Sequence, residues 1–359
     1  MQTATEYRSP LHRMAGTTAT CLWNDSASRE ELTYALEHGA VGATCNPVIV
    51  LDVLKLEMGL WKDRIQQLIR EMPTASESQI AWRLVEEISV RSAAMLKPAF
   101  EREKGRNGRL SIQTDPRLYR NTEALVGQAV HFSELAPNMI VKLPATAAGI
   151  PAIEEATYRG VCVNATVSFS LPQSIAVAQA VERGLKRRER EGKSVDPTGA
   201  VSTIMVGRLD DWLKIVAERN GVTVDPGTLD WAGVAVFKRA YALFKARGYR
   251  VRLLSAAFRN HYHWSELIGG DVVISPPHKW QVQFNNSEVA VVPRIDNPVD
   301  NRIISQLRKF DDFSRAYEPG GLTVAEFDSF PPTIRTLRQF IAACHDLEKL
   351  MRDFMLPET

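Results

Sequence analysis

Eight short apolar runs recur along the chain, at 20–23, 41–45, 109–114, 138–144, 161–165, 200–206, 251–255 and 271–274, and nearly all lead into a stretch of helical periodicity. Strands that alternate with helices pair in parallel through right-handed crossovers. Eight such units are what a closed (β/α)8 barrel needs. The spacing of apolar residues predicts helices over 47–72, 77–103, 119–134, 148–158, 171–191, 207–220, 230–247 and 258–267, with one more after the first strand that Ser26 or Ser28 can cap. The expected fold class is therefore α/β, a TIM barrel with extra helices. Two helices instead of one separate the second and third strands, and the tail reads as two or three more. The first 16 residues are polar and mixed and read as a loose lead-in. The expected division is a lead-in over 1–18, a catalytic barrel over 19–296 and a C-terminal helical extension over 297–359 packed on the barrel.

Composition removes several function classes. With 44 Lys plus Arg against 42 Asp plus Glu, the formal charge is +2, which argues against a nucleic-acid binder built on bulk positive charge. Hydrophobic residues at 45% and charged residues at 24% are the composition of a globular chain. Cys21, Cys45, Cys162 and Cys344 form no CxxC pair, so reduced thiols and no metal site are expected. His261 and His263 stand two apart, a spacing that points them away from each other on a helix. No GxGxxG, P-loop or GxSxG occurs, and no cofactor is implied. The first residues lack an apolar signal-peptide core, and no apolar run reaches the ~18 residues of a membrane span. A cytoplasmic protein with no membrane partner is expected. The run 182–191 (ERGLKRRERE) reads as a solvated helix face.

In a barrel of this kind chemistry sits where the strands end. The eight strands deliver Asp25, Asn46, Gln113 with Asp115, Lys142, Asn164 with Thr166, Thr203 leading to Arg208, then Arg259 with Asn260, and Ser275. Lys142 stands out because it lies inside the apolar run Met139-Ile140-Val141-Lys142-Leu143-Pro144. Both faces of a parallel barrel strand are covered, so an ammonium there is partly desolvated and its pKa falls. A neutral amine can attack a carbonyl and form a Schiff base; the structural alternative is a lysine paired with a buried carboxylate. Asp25 suits that carboxylate, a general base, or a helix cap. Asn46 before Pro47 also suits a turn. Arg208 and Arg259 at neighbouring strand ends suit a phosphate, or two surface ion pairs.

The same segments carry a resemblance to the transaldolases, class I Schiff-base enzymes, over about 19–345, and in particular to the long bacterial form. Leu22-Trp23-Asn24-Asp25-Ser26 is similar to the family's first strand, and Gly42-Ala43-Thr44-Cys45-Asn46-Pro47 to its TTNPS motif. Ile140-Val141-Lys142-Leu143-Pro144-Ala145-Thr146 resembles the Schiff-base lysine motif, and Cys162-Val163-Asn164-Ala165-Thr166 the CNLT motif. Val206-Gly207-Arg208-Leu209 with Asp211-Trp212 resembles VGRI-DW, and Ala256-Ala257-Phe258-Arg259-Asn260 resembles ASFRN. Three departures stand out. Gln113 replaces the glutamate that orients a catalytic water, as in the related fructose 6-phosphate aldolases. Thr203 and Met205 replace the serine and the aromatic residue of an SPF motif, and Ala257 replaces a serine.

The resemblance implies Lys142 as nucleophile, Asp25 as acid/base, and Gln113 and Thr166 as water-positioning groups. It implies Asn46 and Asn164 on the dihydroxyacetone hydroxyls, and Thr203, Arg208 and Arg259 on the phosphate of a ketose such as fructose 6-phosphate or sedoheptulose 7-phosphate. The expected partners are sugar phosphates, with a monomer or homodimer as the assembly. Two other readings stay open: an aldolase that releases free dihydroxyacetone or acts on an unusual sugar, and a weakly active sugar-phosphate-binding paralogue. A glutamine can hold a water but cannot take its proton.

Overall fold

A computed structural model describes residues 7–195 and 199–357. Strands β1 (Cys21–Asn24), β2 (Ala40–Cys45), β3 (Arg109–Gln113), β4 (Met139–Pro144), β5 (Val163–Thr166), β6 (Val201–Met205), β7 (Arg252–Ala256) and β8 (Val273–Ser275) pair in parallel in chain order, and β8 closes on β1. The fold is a (β/α)8 TIM barrel, as the alternation of strands and helices requires. Each expected strand run overlaps an observed strand.

Around the barrel lie α1 (Pro10–Thr17), α2 (Arg29–Glu37), α3 (Pro47–Glu71), α4 (Glu77–Arg102), α5 (Thr122–Glu134), α6 (Gly149–Tyr158), α7 (Leu171–Arg190), α8 (Val206–Asn220) and α9 (Ala232–Arg247). They are followed by α10 (Tyr262–Ser265), α11 (His278–Asn285), α12 (Asn301–Leu307), α13 (Asp311–Tyr317) and α14 (Pro331–Met355). Helix α14 packs on α3 and α4 and reaches α8.

Three local expectations need correction. The lead-in contains helix α1: Ser9 caps it by accepting from the His12 N–H, Pro10 opens it, and Leu11 and Met14 are fully buried. Two apolar residues three apart suffice to anchor a two-turn helix. The helix expected over 258–267 shortens to α10, because Ala257 takes φ 64° and the chain turns before helix can start. The run 182–191 is not merely solvated. Glu182 and Glu189 both bind Arg250, Arg183 binds Glu154, and Arg187 binds Glu155.

Strand alternation and register stack the barrel interior in layers of four, each drawn from alternate strands. The neighbours Gln113↔Lys142, Lys142↔Asn164, Asn164↔Val201 and Val201↔Arg252 each step one residue, so each successive residue sits one layer lower. From the bottom the layers are Cys21, Arg109, Cys162 and Arg252; Gly42, Ile140, Val201 and Val273; Trp23, Ser111, Asn164 and Leu254; Thr44, Lys142, Thr203 and Ser275; and Asp25, Gln113, Thr166 and Ala256. Trp23 is the plug of this stack, in one cluster with Ile140, Val201, Leu254 and Val273. Its indole needs the missing side chain of Gly42, where a Cβ would lie 2.5 Å from the ring. Gly42→Ala should therefore destabilise by roughly 1–3 kcal/mol through overpacking, read as a lower urea midpoint at unchanged slope.

Candidate active site

The upper two layers are polar except for Ala256, and Ser111 and Asn164 add two polar groups to the layer below, where a packed barrel would ordinarily be branched and apolar. Several of their polar groups are tied together. Thr44 Oγ1 donates to Asp25 Oδ1. Asn164 Nδ2 donates to Ser111 Oγ at 2.9 Å, and Thr203 Oγ1 donates to Asn164 Oδ1 at 2.7 Å. This chain of bonds fixes the amide orientation of Asn164, which stands beside Lys142 in register.

Lys142 is 5% exposed and makes no ion pair among the described residues, so the alternative of a lysine locked to a carboxylate does not describe it. Burial depresses its pKa below the ordinary lysine value; Asp25, acting at longer range, opposes the shift without reversing it. Burial pushes the nearby Cys45 thiol up to about 11, so it is neutral at neutral pH and adds no counter-charge to the ammonium. Gln113 pairs in register with Lys142, and its buried Oε1 accepts no hydrogen bond among the described residues. Thr166 lies one layer above Lys142, with its hydroxyl turned to Met205 Sδ at 4.0 Å. Asp25 is half-buried at the mouth. Asn46 caps α3, its Oδ1 accepting the Ile49 N–H at 2.9 Å, which leaves its Nδ2 for other partners.

Arg208 and Arg259 come together beside this cluster. Arg208 lies in the first turn of α8, whose N-terminus has no side-chain cap. It has no carboxylate ion pair among the described residues, and its buried Nε lacks a partner. Burial and the like charge of Arg259 both disfavour its charged form. Arg259 is anchored instead: Asp211 Oδ2 lies 2.9 Å from its guanidinium, and its backbone N–H donates to His263 Nδ1 at 3.1 Å. That bond places the ring hydrogen of His263 on Nε2, which donates to the fully buried Asp210 at 2.8 Å. The two arginine loops approach across Gly207, where a Cβ would lie 2.1 Å from the Ala257 carbonyl oxygen. No cluster of three His, Cys, Asp or Glu that could hold a metal occurs among the described residues.

This arrangement matches a known sequence pattern. A sequence model of the transaldolase/fructose-6-phosphate aldolase family matches residues 22–318. The chain belongs to this family. Among its relatives, transaldolase 2 of Streptomyces avermitilis is 32% identical over 234 residues, 63% of this chain and 62% of its own length. The transaldolase of Thermobifida fusca is 33% identical over 211 residues, 56% of each chain. That of Mycobacterium tuberculosis is 31% identical over 233 residues, 62% of this chain and 61% of its own. The chain thus aligns with about three fifths of the length of these family members.

Sequence reasoning missed four groups near the site. Thr44 and Ser111 look like ordinary strand residues until register brings them against Asp25 and Asn164. Gln339 and Arg335 come from α14: Gln339 accepts from Arg208, and Arg335 adds a further positive charge to the Arg208 environment. No spacing signal connects them to strand ends more than 100 residues away.

Proposed function

We propose that this chain is a transaldolase, a transferase that moves a dihydroxyacetone unit from a ketose phosphate to an aldose phosphate through a Schiff base on Lys142. The supporting observation is the position of Lys142: buried, without an ion pair, one layer below Asp25 and beside Asn164. The neutral amine attacks the C2 carbonyl, and loss of water gives the iminium. Asp25 takes the proton of the C4 hydroxyl as the C3–C4 bond breaks and its electron pair moves into the iminium. The aldose phosphate leaves, and the three-carbon enamine stays on Lys142 until an acceptor aldehyde re-forms the bond. Asn164 and Asn46 hold the dihydroxyacetone hydroxyls, and Gln113 and Thr166 hold the water that carries protons. Thr203, Arg208 and Arg259 take the phosphate, with the α8 N-terminus behind them.

In this reading residues 19–296 form the catalytic barrel, and 297–359 are an extension whose helix α14 borders the mouth. A cytoplasmic location and a place in pentose phosphate metabolism belong to the same proposal. No helix among the described residues is long and apolar enough to cross a membrane.

The deciding experiment is turnover of fructose 6-phosphate with and without erythrose 4-phosphate. Acceptor-dependent release of glyceraldehyde 3-phosphate, with sedoheptulose 7-phosphate formed, supports the transferase. Release without acceptor favours the aldolase alternative, which Gln113 keeps in view. No turnover in either arm would sink both. Arg208→Ala should raise KM for phosphorylated ketoses about 10–100-fold, the loss of a charged hydrogen-bond partner, while leaving the KM of unphosphorylated fructose unchanged.

A further inference from the structure

The bottom of the barrel is built against the usual rule. Its lowest layer holds two thiols and two guanidiniums, Cys21, Arg109, Cys162 and Arg252, where branched apolar side chains would close the stack. Arg252 is only 7% exposed. Its Nη1 donates to Cys21 Sγ at 3.5 Å, and its Nη2 donates to Asn107 Oδ1 at 2.9 Å and to the Arg106 carbonyl at 3.2 Å. Its buried Nε has no partner among the described residues. The carboxylate it approaches, Asp271, is 3.9 Å away, half-exposed and already bound by Arg106 at 2.5 Å. A buried cation this poorly matched by carboxylate is costly unless an anion completes it.

Arg252 also lines a cavity of about 570 Å³ at this end of the barrel. Arg106, Lys245 and Arg250 supply three more cations, of which Arg250 is already held by Glu182 and Glu189, and Asp271 is the one carboxylate on its wall among the described residues. The rest of the wall is Gly248, Val251 and Leu253 with three rings, Tyr241, and Phe244 packed edge-on against Tyr249 with ring centroids 5.1 Å apart. A cavity of several hundred cubic ångströms with apolar walls and a few converging charges is the usual form of a small-molecule site. Cations and aromatic side chains on one cavity wall suit a ligand that carries both an anionic group and a ring.

We propose that the N-terminal end of the barrel carries a second ligand site, for an organic phosphate that bears a planar ring, of the mononucleotide class. The phosphate lies against Arg252 and Arg106, and the ring lies on Tyr241 and Tyr249. This site is separate from the catalytic mouth and does not depend on the activity proposed for it.

The test uses the full-length Arg208→Ala/Arg259→Ala variant, which lacks the phosphate groups of the mouth, titrated calorimetrically with AMP, ribose 5-phosphate and inorganic phosphate. AMP should bind with one-to-one stoichiometry, and at least about 10-fold more tightly than the two probes that lack the ring. Adding Arg106→Ala, an exposed position, should weaken AMP at least about 10-fold, and adding Tyr249→Ala should reduce its advantage over ribose 5-phosphate. No AMP binding at millimolar concentration overturns the site. Equal binding of AMP and ribose 5-phosphate overturns the ring assignment, and AMP affinity unmoved by Arg106→Ala overturns the location. Failure of any of these leaves the transaldolase reading untouched, because that reading is tested by turnover at the other end.

Discussion

Lys142→Met is expected to abolish covalent trapping by borohydride in the presence of fructose 6-phosphate and to lower turnover by at least about 10⁴-fold, since in the proposed reaction Lys142 forms the covalent intermediate. The same substitution should make the protein more stable at neutral pH. Burial lowers the folded pKa of Lys142 below its unfolded value, so the folded state binds fewer protons than the unfolded state between the two values. Stability from this group therefore rises with pH through that window and is at its lowest below the folded pKa. Methionine of similar length removes the cost at every pH. A higher urea midpoint at pH 7, with the difference shrinking toward pH 10, is the expected signature, and a lower midpoint would contradict the desolvation argument. The same shift fixes the direction of the rate profile: the limb of kcat/KM that reports free amine should titrate below the ordinary lysine value. A stable, inactive variant is the pattern expected where a site is held at the expense of the fold.

How far the sequence alone leads depends on the kind of signal. The barrel was legible because eight strand-and-helix units have few other ways to pack. Lys142 was legible because a charge inside an unbroken apolar run has no innocuous place in a covered strand. Arg208 and Arg259 were legible only as strand-end residues; that one is anchored to Asp211 and the other has no carboxylate ion pair among the described residues is a property of the fold. Thr44 and Ser111 were invisible because a small hydroxyl in a strand gains meaning only from the residue opposite it in register. Helix α11 was overlooked because its buried side chains are few, Gln281 and Phe284 alone. Arg335 and Gln339 sit on an amphipathic helix whose polar face reads as solvated until α14 is docked beside α8. The polar bottom layer escaped for the same reason, since Cys21, Arg109, Cys162 and Arg252 stand far apart in the chain and meet only through the one-residue step between neighbouring strands.

Asp25→Asn is expected to separate the two halves of the proposed chemistry. The amide keeps the shape of the side chain and can still accept from Thr44, so the mouth should retain its geometry and Lys142 its access to the carbonyl. Borohydride trapping with the ketose should therefore persist. Cleavage of the C3–C4 bond should fall by roughly 10²–10⁴-fold, the usual effect of removing a positioned acid/base group. The loss should sit near the upper end of that range. Gln113, which pairs in register with Lys142, cannot take a proton, so no second carboxylate of that layer stands in for Asp25. Single-turnover release of glyceraldehyde 3-phosphate measures the cleavage step apart from Schiff-base formation. Cleavage within about 10-fold of the parent enzyme would assign Asp25 to a structural role beside Thr44 and place the proton acceptor elsewhere. Loss of trapping together with cleavage would mean that Asp25 also moves a proton during Schiff-base formation, since its charge favours the Lys142 ammonium and removing it alone would increase the free amine.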